Sequence, residues 1–139
     1  MKELNFESGL VTYSLNGKCE VTFNPADSNF AERLYHAFDT LYGKQKEMKA
    51  KAEKMETPGD IFSFYLEQDR EMREIIDGVF GQPISDALFG NVNAYAMADG
   101  LPIWANFFLA VMDEMDKNID KERKATNPRI EKYRKKYHK

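Results

Sequence analysis

Cys19, His36 and His138 are the side chains best suited to nucleophilic or metal chemistry, and none has a partner in the pattern around it. A single cysteine excludes an intramolecular disulfide and a cysteine-based metal centre, and fits a reducing compartment. His36 sits beside an apolar helical stripe with no cysteine or second histidine at ligand spacing, and His138 lies in a basic tail. Neither a Ser/Cys–His hydrolase arrangement nor a two-histidine zinc helix can be drawn. Carboxylates are numerous: Asp113, Glu114, Asp116 and Asp120, then Glu67, Asp69, Glu71 and Glu74. Converging pairs would serve glycoside or phosphoryl chemistry. Here Lys117, Arg70 and Arg73 alternate with them at helical spacing, the pattern of solvated helix faces. The glycines mark turns and caps, with no phosphate-cradling loop. The residues therefore predict no enzyme, no cofactor and no metal.

The elements that carry these residues follow from periodicity. Val11–Leu15 and Cys19–Phe23 alternate about Asn16-Gly17, the strongest two-residue hairpin signal, and Leu4-Asn5-Phe6 offers a third strand. Asn24, Asp27 or Ser28 caps a helix whose stripe is Phe30, Leu34, Phe38 and Leu41, widened by Tyr35 and Tyr42. Beyond Gly43 the run to Lys54 is helix-forming but almost wholly polar, so it is expected to project from the body until Thr57-Pro58-Gly59 ends it. Met48 and Met55 punctuate that region and are candidates for partner contact.

Asp60 is expected to cap the next helix, with Ile61, Tyr65, Met72, Ile76 and Val79 on its stripe, Phe62, Leu66, Ile75 and Phe80 beside them, and Gly81 as its stop. A short helix spans 83–89. Residues 91–98 form a helical turn or packed loop, and Asp99-Gly100-Leu101-Pro102 opens a long helix. In that helix Trp104, Phe107, Phe108, Val111, Met112, Met115 and Ile119 keep helical spacing, which makes it central. Asn127-Pro128 breaks the chain before a basic segment.

The fold expected is α+β and predominantly α-helical: an N-terminal β-hairpin region (1–24) packed on a helical bundle (25–126), one domain, followed by a basic C-terminal segment (127–139). Its 139 residues and 42% apolar content suffice for a packed core. No apolar stretch is long enough for a membrane span or a signal peptide, so a soluble, cytoplasmic protein is expected. Residues 121–139 hold nine Lys/Arg against Glu122 and Glu131, a net +7, which leaves −10 on the first 120. That acidic body opposes duplex nucleic acid, so nucleic-acid binding is disfavoured. The basic tail is either solvated or docks on a neighbouring subunit, and a homo-oligomer is expected.

Three stretches, Phe23-Asn24-Pro25-Ala26-Asp27-Ser28, Asp99-Gly100-Leu101-Pro102-Ile103-Trp104-Ala105-Asn106 and Thr126-Asn127-Pro128-Arg129-Ile130-Glu131-Lys132-Tyr133, carry a resemblance. The chain resembles proteins of tailed phages and prophages of Gram-positive bacteria that are encoded in the tail-morphogenesis cluster. The similarity extends over nearly the whole sequence, including Glu71-Met72-Arg73 and Leu88-Phe89-Gly90. It implies a tail assembly chaperone: a small helical protein of the host cytoplasm that coats the tape measure protein until tube subunits replace it. None of these motifs is catalytic, and no functional residue transfers individually. The expected contact is an amphipathic partner helix in an apolar groove, with Trp104, Phe107, Phe108, Phe62 and Tyr65 as groove candidates. The alternative is a non-enzymatic phage protein that binds and inhibits a host defence or regulatory protein, its acidic surface mimicking nucleic acid.

Overall fold

The structure is a computed structural model describing residues 1–137; His138 and Lys139, the end of the expected basic segment, lie outside the described residues. It is α+β and mostly helical, with an N-terminal antiparallel hairpin packed against helices. Strands β1 (Val11–Leu15) and β2 (Cys19–Phe23) pair with Val11 opposite Phe23 and Leu15 opposite Cys19. Asn16 and Gly17 both take positive φ, 53° and 68°, as the turn requires. Lys18 is an extra residue in the connection, and its N–H donates to Leu15 O at 3.0 Å. Residues 1–10 form no third strand; Leu4 and Phe6 are exposed.

Helix α1 runs without a break from Ser28 to Glu53, through Gly43. Asp27 caps it, accepting from Asn29 N at 2.9 Å. Its polar half does not stand alone: α2 (Pro58–Phe80) folds back along it, Lys44 pairs with Glu71, and Met48 is 3% exposed. Thr57-Pro58 begins α2 and does not merely end α1. Thr57, not Asp60, is the cap, its hydroxyl accepting from Asp60 N at 3.2 Å with Pro58 in the first turn. Gly81 ends α2 at φ 65°.

The carboxylates of α2 are not all solvated. Asp69 is buried and accepts from Ala94 N at 2.7 Å; Arg73 pairs with Asp69 and Asp86, each at 3.0 Å, and donates to Gly90 O and Val92 O. Asp77 accepts from Ile84 N and Ser85 N. These bonds strap α3 (Ser85–Phe89) and the following loop onto α2. In place of a helix-opening turn, Asp99-Gly100 makes a second hairpin. It joins β3 (Met97–Ala98) to β4 (Leu101–Pro102), with φ 56° and 78° at its two corners. Helix α4 (Ile103–Lys124) follows at once, and after Asn127-Pro128 comes α5 (Arg129–Tyr137), no residue of which is buried.

Two aromatic sets tie the core together. Phe23 stacks on Phe30 at 4.6 Å and meets Phe80 at 5.9 Å, and Phe80 stacks on Phe107 at 5.3 Å. Phe38 packs against Trp104 at 5.7 Å and Phe108 at 6.4 Å. Trp104→Ala should therefore cost about 3–5 kcal/mol of unfolding free energy in urea titrations, whereas Phe62→Ala, on an exposed side chain, should cost under about 0.5 kcal/mol.

Burial, then the charges of Glu71 and Asp69, push the Tyr95 hydroxyl up to about 12 from an ordinary 10.0. The unfolded chain releases this proton first, so stability should fall as pH climbs from about 10 through about 12. Tyr95→Phe should flatten that limb of the stability–pH profile.

Candidate functional site

β2 is the strand that packs on the core: Val21 and Phe23 are buried, while Tyr13 and Leu15 of β1 are only half-covered. β1 therefore stands off from α4 and leaves an apolar trough between them. Two adjoining cavities of about 540 and 170 Å³ share Ser14, Leu15, Phe107 and Ala110. Leu88 and Ile103 close the end near α3, and Glu114 closes the other. Tyr13 Oη donates to Glu114 Oε1 at 3.2 Å across that end. Burial foremost, then the Glu114 charge and hydrogen bond, hold the Tyr13 hydroxyl protonated above its ordinary range. From Ile103 to Glu114 the trough follows α4 for about 16 Å, three helical turns. Asn106 Nδ2 donates to Ala98 O at 2.9 Å and fixes the small hairpin against this wall.

Seven residues are candidates from sequence, and the structure brings one of them, Phe107, into the trough. Trp104 and Phe108 are corrections: both are 0% exposed and cannot line an open groove. The apolar stripe of α4 is two lines wide. The 104–108–111–115 line faces the core, where Phe38 of α1 covers its start, and the 103–107–110–114 line faces the hairpin. Met48 is likewise internal, because α2 folds back over that half of α1, and Met55 is half-buried in the α1–α2 connection. Tyr65 is half-buried, its carbonyl accepting from Asn93 Nδ2 at 3.0 Å, and Phe62 is 72% exposed. Phe62 precedes Phe80 by 18 residues of helix, about 27 Å, and Phe80 stacks on Phe107. Phe62 and the trough are thus separate surfaces. Strand alternation places Leu15 on one face with Val11 and Tyr13, but neither Leu15 nor Ala110 is among the sequence candidates; the strand-to-helix packing is what brings both to the trough.

Cys19 and His36 are not part of any metal-type cluster among the described residues. Among the described residues no three His, Cys, Asp or Glu side chains cluster as a metal site. His36 is exposed on α1. Cys19 is half-buried with Sγ 3.9 Å from Ile84 O, and burial pushes its thiol pKa up, the reverse of an activated nucleophile. No helix is long and apolar enough to cross a membrane among the described residues. Comparison with family models, curated proteins and solved structures finds no match for the chain. Alkylation of Cys19 in the folded protein should show a rate–pH midpoint above the ordinary thiol value. Denaturation in urea should bring it back down.

Proposed function

We propose that this protein is a phage tail assembly chaperone that works in the host cytoplasm and holds an amphipathic helix of the tape measure protein in the trough between β1 and α4. The observation that carries the reading is the trough itself. It is open to solvent and lined mainly by apolar side chains, with Ser14, Asn16, Lys18 and Asn106 among them, and its floor is Phe107, held in place by Phe80. A helix laid in it presents side chains at i, i+3 or i+4, and i+7, matching three turns of α4. The sequence resemblance at 23–28, 99–106 and 126–133 supplies the class of partner.

The test uses a substitution that fills the trough and leaves the core alone. Ala110 is an exposed helical residue on the trough wall, so Ala110→Arg should leave the urea midpoint within experimental error. It should weaken co-purification of the tape measure protein at least tenfold, corresponding to about 1.4 kcal/mol or more. Wild-type retention by Ala110→Arg would overturn the reading, and so would a stable fold whose binding is lost only on removal of residues 127–139.

A further inference from the structure

The two edges of the hairpin are treated differently. Thr12 and Thr22 stand directly opposite each other. Thr22 turns its N–H and C=O outward to Gln82, at 3.1 and 2.8 Å, so those of Thr12 face the other way, toward the outer edge of β1. Ser14, two residues on, shares that direction. Among the described residues no group outside the hairpin bonds to the backbone of either. Natural sheet edges are blunted by charge or proline, and residues 10–15 carry neither. Ser14 also lines both cavities of the trough, so the open edge and the trough form one surface, with backbone groups at its rim and Phe107 at its floor.

The same chain carries a strand with nothing to pair with. Glu3-Leu4-Asn5-Phe6-Glu7 alternates, and Leu4 and Phe6 are 89% and 84% exposed. Alternation puts both on one face and Glu3, Asn5 and Glu7 on the other. On a strand added to β1 with Leu4 and Phe6 opposite Leu15 and Tyr13, the apolar pair looks onto Phe107 and Ala110. Glu3, Asn5 and Glu7 then join Thr12 and Ser14 on the solvent face. A slip by one residue would turn the carboxylates inward, so the pattern sets the register.

The segment leaves its own hairpin on the wrong side to do this. Asn24 follows β2, and its Nδ2 donates to Ser8 O at 3.0 Å, which holds Ser8 beside β2 and away from the outer edge of β1. Gly9 takes φ 74° at this point, where a Cβ would meet Asn24 at 2.5 Å. Glu7 Oε1 accepts from Gly9 N at 2.9 Å and fixes the exit further. Residues 3–7 are thus presented away from the edge that their own hairpin leaves open.

We propose that residues 3–7 of one copy add as a third strand to the outer edge of β1 in a second copy of this chain, with Leu4 and Phe6 seated in that copy's trough. Main-chain bonds to Thr12 and Ser14 supply the adhesion and the two apolar side chains the register. Each copy has one arm and one edge, so the contact closes reciprocally into a dimer or propagates as a chain. The proposal stands whether or not a partner helix also takes the trough; such a helix would displace the arm.

Sedimentation and amide exchange on the full-length protein test it together. The wild type should exceed the 16.1 kDa of one chain. Leu4→Ser/Phe6→Ser removes the arm's apolar face and Ala110→Arg fills the trough; all three positions are exposed, so both variants keep the fold. Each alone should sediment as a single chain. An equimolar mixture should give a species of twice that mass and no larger, because one intact arm meets one open trough. The Thr12 and Ser14 amides should exchange about tenfold or more slowly in the wild type than in Leu4→Ser/Phe6→Ser. A wild type that stays monomeric at its highest soluble concentration overturns the proposal, and so does a wild-type mass retained by Leu4→Ser/Phe6→Ser. Slow exchange of Thr12 and Ser14 in a monomeric wild type overturns it too, because the third strand would then come from the same chain.

Discussion

A two-stranded ribbon with no third strand has one face that water cannot be allowed to keep, and the rest of this structure is arranged around covering it. Phe23 does most of the covering. Its ring lies between Tyr13 at 4.8 Å and Phe30 at 4.6 Å, with Phe80 at 5.9 Å, so one side chain joins the hairpin to the start of α1 and the end of α2. Gln82 completes the attachment by donating to Thr22 O at 2.8 Å and accepting from Thr22 N at 3.1 Å, satisfying β2 backbone groups that a third strand would otherwise pair. Because the attachment runs through β2, β1 becomes the outer strand. The trough is the space that this asymmetry leaves against α4, with Phe107 extending the aromatic chain into its floor.

A second constraint is polar. Segment 81–95 is short and winds through a turn, α3 and a loop, and much of its backbone is held by side chains of α2. Asp77 satisfies two N–H groups at the start of α3, Arg73 satisfies two carbonyls at 90 and 92, and Asp69 satisfies the N–H of Ala94. Trp104 N then donates to Ala94 O at 3.0 Å, which sets where α4 begins. The position of the trough wall thus depends on three charged residues of α2 that never touch it.

These two constraints explain what the sequence could and could not tell. Period and turn chemistry are local, so the hairpin about Asn16-Gly17, the stop at Gly81 and the long helix carrying Trp104 were all legible. Asp69 and Arg73 share the spacing of a solvated face with Glu67 and Arg70, and only the return of segment 90–94 across α2 separates the buried pair from the exposed one. Trp104, Phe107 and Phe108 fall on one broad stripe. Which of them meets α1 and which meets the hairpin is settled by contacts some 70 to 90 residues away in sequence, at Phe38 and Leu15. Asp99-Gly100 carried a hairpin signal as plain as Asn16-Gly17, but its flanking strands are two residues each, too short for alternation to show.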